Sequence, residues 1–153
     1  MNELKQLIHE YFDKQRLMQL VSISVAGPWA CSVWQVIDDD FNIYFFSSES
    51  RRHSKEIAID DRVAGVLALP QTPEDNPRGI QFEGVAQKLV DVGEVGKVRK
   101  LYQGSIFDSK SIDDFMSHPE RPHVFYKIKP SKIVLFDTVN FPDEPLQEMI
   151  VNI

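Results

Sequence analysis

The chain reads as a mainly β protein with helices: a closed or nearly closed antiparallel barrel decorated by helices on its outside. Three observations predict this. Residues 20–25, 29–37 and 42–47 are alternating or β-branched segments joined by short turn signals, as in an antiparallel meander. The long segment 79–90 changes apolar parity near Gly84, with Ile80 and Phe82 before it and Val85 and Leu89 after, the mark of a bulge or barrel corner. The regular strand–helix alternation of a doubly wound sheet is missing from the pattern.

The elements follow in order. Leu4, Leu7, Ile8, Tyr11 and Phe12 recur at helical spacing and make the apolar face of a first helix. Residues 20–25 form a strand, Gly27-Pro28 a turn, residues 29–37 a second strand, Asp38-Asp39-Asp40 a turn and residues 42–47 a third strand. Ser50 is set to cap a short helix over residues 50–59 that turns Ile57 inward. Residues 63–69 are an unbroken apolar run ended by Pro70, which predicts a fully buried strand. A proline-rich loop leads to the long strand 79–90. Val92, Val95, Val98, Leu101 and Tyr102 mark an amphipathic helix, and residues 111–117 a shorter one. Residues 123–129 and 132–138 read as two last strands separated by Pro130. Nothing in the pattern suggests repeats or a linker, so residues 1–153 are read as a single domain.

Composition narrows the function. Lys and Arg total 17 against 23 Asp and Glu, a formal charge of −6, which argues against a general nucleic-acid binder. No apolar run approaches the roughly 18 residues of a membrane span, and the charged start MNELKQLIHEYFDK is unlike a signal peptide. The reading is a soluble, cytoplasmic protein without a nucleic-acid or membrane partner. The one cysteine, Cys31, leaves no partner for an intramolecular disulfide or for a multi-cysteine zinc site. It falls inside a strand and reads as a small buried residue. The four histidines, His9, His53, His118 and His123, are scattered, and His118 and His123 read as members of a solvated loop. No glycine-rich nucleotide loop, nucleophile elbow or metalloprotease helix occurs, so no catalytic side chain and no metal site is expected.

One segment stands out. Glu49-Ser-Arg-Arg-His-Ser-Lys55 puts four cationic groups in five residues of an acidic chain, between a strand end and a helix start. Cations are unfavourable at a helix N-terminus unless an anion sits there. Free amides, hydroxyls and guanidinium groups together make an anion site, most naturally for a phosphate. The alternative is an ordinary solvated helix start.

The segment Ile43-Tyr-Phe-Phe-Ser-Ser48 followed by Glu49–Lys55 resembles the flavin-phosphate region of the pyridoxamine 5′-phosphate oxidase-like split barrels. Arg78-Gly-Ile-Gln-Phe-Glu-Gly84 is similar to another strand of that family, as is the aromatic strand at 124–129 with Pro130-Ser-Lys-Ile133. Within that superfamily the likeness is greatest to the UPF0306-like branch, with its similar Arg-His pair and RGxQFxG segment. The resemblance runs over residues 15–139. It implies a six-stranded antiparallel split β-barrel that binds FMN as a homodimer. On this resemblance Arg51, Arg52, His53 and Lys55 hold the phosphate with Ser47 and Ser48 nearby. Ser32, Val33 and Trp34 line the isoalloxazine ring, and Gln81 approaches the flavin. Aromatics of the final strands, such as Phe125, Tyr126 and Phe136, are offered to the dimer. The oxidase's arginine-bearing C-terminal segment is replaced by Asn140-Phe-Pro-Asp-Glu-Pro-Leu-Gln-Glu-Met149, so pyridoxamine phosphate oxidation is not expected. What remains is an FMN-dependent oxidoreductase whose cofactor carries the electron chemistry. The alternatives are a non-catalytic module that binds flavin, haem or a deazaflavin, and a structural or regulatory dimer with an empty site.

Overall fold

The computed structural model describes residues 2–151. Asn2 accepts a hydrogen bond from the Lys5 amide and so caps α1 (Glu3–Lys14), which buries Ile8, Tyr11 and Phe12. The chain then runs through β1 (Leu17–Ser24), β2 (Gly27–Ile37), β3 (Ile43–Ser48), α2 (Arg52–Ile59), β4 (Arg62–Ala68) and β5 (Arg78–Lys88). Two helices follow, α3 (Val92–Tyr102) and α4 (Ser109–Met116), capped by Asp91 and Asp108. The long β6 (His123–Asp137) and the short β7 (Leu146–Ile150) complete the fold.

All strand pairs are antiparallel, in the order β3-β2-β1-β4-β5-β6-β7, and β3 also pairs with β6. Six strands therefore form a ring, and β7 extends it from β6. The interior holds Met18, Leu20, Ile43, Phe45, Leu67, Ile80, Ile128, Ile133 and Leu135, all essentially inaccessible. Helix α1 covers one end, where Tyr11 Oη donates to Asp137 Oδ2 at 2.7 Å and the Gln35 amide donates to the Phe12 carbonyl at 2.8 Å. Helix α2 covers the other, against β1. A second apolar cluster lies outside the ring, where α3 and α4 press Val98, Tyr102 and Ile112 onto Val36, Tyr44, Phe46 and Phe125.

A bulge does lie opposite Gly84, but on β6: inward parity passes there from Tyr126 and Ile128 to Ile133 and Leu135, whereas β5 keeps Ile80, Phe82 and Ala86 on one face, so the parity change expected of β5 itself does not occur. The β5–β6 register shifts between Glu83 and Gly84, so that Ser131 is the extra residue opposite. Any Cβ at Gly84 would collide with the Lys129 carbonyl and the Pro130 Cα. This bulge is why Pro130 does not divide the segment as expected: β6 is one continuous strand, and the proline sits where ladder pairing is already interrupted.

Other expectations shift. The hairpin turn falls on Val25-Ala26, with Gly27 at φ 101° opening β2, rather than on Gly27-Pro28. The N-cap of α2 is Arg51, not Ser50, whose hydroxyl instead meets that of Ser48 at 2.8 Å. Strand β4 is not buried on both sides: Val63 and Leu67 point into the ring, whereas Ala64, Val66 and Ala68 point out. Residues 146–150, Leu-Gln-Glu-Met-Ile, carry no alternating strand signal and yet pair with β6 as β7.

Candidate functional site

The ring is split beside α2. Strands β2 and β3 pair only over Gln35↔Phe45, Val36↔Tyr44 and Ile37↔Ile43. Beyond that, the Gly27–Trp34 stretch of β2 stays with β1, while β3 runs on beside β6 as far as Ser48↔His123. The first turn of α2 joins the two lips. His53 Nε2 lies 2.8 Å from Ser47 Oγ on the β3 side. The Arg52 guanidinium carbon lies 4.3 Å from the Trp29 ring centroid on the β2 side.

Arg52 is further engaged by Glu56, its Nε donating to Oε2 at 3.3 Å. Glu56 is buried, and Ser22 Oγ donates to its Oε1 at 2.8 Å. Hydrogen bonds from Ser24, Ser22 and Arg52 hold this carboxyl below its ordinary pKa against the opposing effect of burial. Arg52, expected to hold a phosphate, is thus an attachment of α2 to the β1–β2 hairpin.

Arg51 is different. It is exposed, and among the described residues its side chain makes no ion pair or hydrogen bond. It caps α2 without a side-chain cap bond, and the first turn carries no acidic residue. Its amide is used by the Ser48 carbonyl, which leaves the amides of Arg52, His53 and Ser54 without intrahelical acceptors. Burial first, and then the charge of Arg51, lower the pKa of His53. Burial likewise lowers that of His123, with Arg51, His118 and Arg121 adding to it. His123 is not in a solvated loop: it opens β6, half-buried against Phe46 and Phe115. One unpaired guanidinium and the free amides of a helix start form a concentration of positive potential that an anion would relieve, and Arg51 adds to burial in lowering the pKa of both histidines.

The remaining expected residues fall in three places. Ser47 and Ser48 are buried at the end of β3, beside His53 and Ser50. Ser32, Trp34 and Gln81 lie on the outer sheet face. Ser32 is opposite Gln19, Gln19 opposite Val66 and Val66 opposite Gln81, a row spanning about 14 Å at the usual strand spacing. Val33 points into the core at 7% exposure, so only its main chain can meet a ligand. Lys55 lines a separate cavity with Lys88 and Tyr126. Cys31 is half-buried, and burial pushes its thiol up to about 11, which keeps it protonated and unreactive. Phe125 and Tyr126 are core residues, unavailable to an interface. The outer face exposes Ile23, Trp34, Val66, Leu146 and Ile150, of which the sequence expectations had included only Trp34. The parity of each strand held that signal, because these positions alternate with core residues.

Among the described residues no group of metal-ligating side chains occurs, and no helix is long and apolar enough to cross a membrane.

A six-strand antiparallel ring, split at one seam and flanked by helices, is the split-barrel fold of the pyridoxamine 5′-phosphate oxidase-like proteins. Solved structures agree. A haem-binding protein from Mycobacterium smegmatis superposes with a TM-score of 0.77 at 12% identity, covering 98% of this chain and 59% of its own. A pyridoxamine 5′-phosphate oxidase-like protein from Listeria innocua gives 0.64 at 19% identity, covering 87% and 98%. An FAD-binding protein from Mesorhizobium loti gives 0.63 at 15%, covering 87% and 90%. In sequence the chain is similar to UPF0306 proteins. It is 26% identical to one from Pasteurella multocida over 95 residues, which are 61% of this chain and 63% of that one. It is 28% identical to one from Photorhabdus laumondii over 96 residues, 62% and 66%. The match thus spans just under two thirds of each relative. No family model matches the chain.

Proposed function

We propose that the protein binds FMN and acts as an FMN-dependent oxidoreductase. The observation that carries this reading is the unpaired Arg51 at the open N-terminus of α2, its charge felt by both His53 and His123. A flavin phosphate suits that position: the three free amides of the first turn donate to it, Arg51 supplies the charge, and His53 and Ser47 fix the adjoining lip of the split. Arg52 stays with Glu56 and Trp29 and holds the turn in place. The outer face of β2, with Ser32 and Trp34, and Gln81 three strands away on the same face are offered to the ring. When bound, the flavin supplies hydride and electron transfer. The protein's own role is to bind, orient and shield.

The reading includes a homodimer that buries the apolar outer face, since a row of exposed Trp34, Val66, Leu146 and Ile150 on one sheet is more than scattered surface apolarity. The neighbours described as haem- and FAD-binding lend support to a site for a planar cofactor in this fold. The visible spectrum of purified protein tests the proposal. Flavin bands that bleach with a nicotinamide donor support an oxidoreductase, and bands without turnover a binding module. A Soret band would mean haem, and colourless protein indifferent to added FMN would overturn the reading.

A further inference from the structure

A second guanidinium without a partner stands beside Arg51. Strands β3 and β6 meet on one last rung, Ser48 opposite His123. On the β3 side the chain turns to Arg51, whose amide donates to the Ser48 carbonyl at 3.2 Å. On the β6 side lies Arg121, whose carbonyl accepts from His123 Nδ1 at 3.1 Å. Arg51 and Arg121 are thus carried by neighbouring strand ends. Arg121 is exposed, and among the described residues its side chain makes no ion pair or hydrogen bond. The turn that bears it is held in place. His118 Nδ1 accepts from the amides of Glu120 at 3.2 Å and Arg121 at 3.0 Å. Pro119 and Pro122 restrict the backbone on both sides. His123 packs on Phe46 and Phe115, with ring centroids 5.2 and 4.8 Å away. These bonds also place the ring protons. A carbonyl only accepts, so His123 carries a proton on Nδ1, and the neutral His118 ring, accepting at Nδ1, carries its own on Nε2. A turn fixed in advance loses less freedom when it meets a ligand.

The charges around the rung do not balance. Lys88 and Glu49 pair at 3.2 Å and cancel. Glu120 is exposed, forms no ion pair among the described residues, and offsets only one of the two guanidiniums. Burial does most to lower the His123 pKa, and Arg51, His118 and Arg121 add to it, so one ring feels basic groups from both strand ends. Two unpaired guanidiniums acting on the same ring repel each other unless an anion lies between them. One phosphate on Arg51 and the amides of the first turn of α2 leaves Arg121 without a partner. We propose that the Arg121 turn is a second anion subsite, and that the two subsites together take a diphosphate ester. This rests on the reading of Arg51 as the holder of a phosphate, and adds a residue from another element that selects two linked phosphates over one.

Calorimetry and backbone amide shifts on the full chain test this, with orthophosphate, pyrophosphate, FMN, FAD and ADP as ligands. Pyrophosphate is expected to bind about tenfold tighter than orthophosphate. Its shifts should cover residues 51–54 and 118–123, and those of orthophosphate residues 51–54 alone. Arg121→Ala should weaken pyrophosphate and FAD by about tenfold or more, the loss of a charged hydrogen bond, and FMN and orthophosphate by no more than about twofold. Its unfolding midpoint should match the wild type, because the side chain is exposed and unpaired. The tighter of FAD and ADP names the source of the diphosphate, a flavin dinucleotide or a nucleoside diphosphate. If FMN fails to bind while pyrophosphate still loses affinity in Arg121→Ala, the flavin reading falls and the subsite stands. Pyrophosphate that does not bind, that binds no tighter than orthophosphate, or that binds equally to wild type and Arg121→Ala would overturn the subsite, whether or not FMN binds through Arg51.

Discussion

Arg52 stacks over Trp29, its guanidinium carbon 4.3 Å from the ring centroid, and this contact fastens the first turn of α2 to the β2 lip of the split. The neighbouring residue, His53, fastens the same turn to the β3 lip through Ser47. Two consecutive side chains therefore hold the helix start across the seam, which leaves Arg51 as the guanidinium free to meet a ligand.

Arg52→Ala should consequently act on stability more than on cofactor affinity. Loss of the cation–π contact alone is worth about 0.5–1 kcal/mol, and Glu56 loses its cation as well. In a Trp34→Phe background, Trp29 emission should shift on this substitution. Denaturant unfolding followed by fluorescence measures both effects.

Stability should fall as the pH drops through the ordinary histidine value of 6.5. Burial and Arg51 lower the His53 pKa in the folded state, so the unfolded chain takes up its proton first. The contribution of neutral His53 is present above that value and declines below it, until the folded protein protonates too. His53→Gln, which keeps a hydrogen-bonding group toward Ser47, should flatten this slope. Unfolding midpoints at a series of pH values for the two proteins check it.

Gly84→Ala should be among the most damaging small substitutions, at about 2–4 kcal/mol. The new methyl meets main chain at Lys129 and Pro130, which cannot swing aside as a side chain could. By contrast Gly96→Ala, in α3 with open space around it, should be neutral or mildly stabilising. Thermal unfolding of the pair separates the two cases.

Much of the fold was legible because it is written in local periodicity. The spacing of Ile8, Tyr11 and Phe12 marks α1, whereas the bulge opposite Gly84 lies in β6, where inward parity passes from Ile128 to Ile133. Pro130 misled because its tolerance depends on how β6 pairs with β5 around the Ser131 bulge, a long-range fact. The outward face of β4 misled because Val66 is as apolar as Val63, and only the register says which one faces the core. At the site, the charge cluster was visible, but its division was not. Glu56 claims Arg52 one helical turn on, a pairing that competes with any phosphate, while the turn of α2 carries Lys55 round to another cavity.

The central claim, that Arg51 and the open start of α2 hold a flavin phosphate, is tested most directly by titrating FMN and riboflavin into wild type and Arg51→Ala. The two ligands share the ring and differ in the phosphate. Removing a charged hydrogen bond of about 1.5–3 kcal/mol predicts a tenfold to hundredfold loss for FMN, with riboflavin affinity and the unfolding midpoint unchanged. Equal losses for both ligands, or no loss for either, would contradict the assignment.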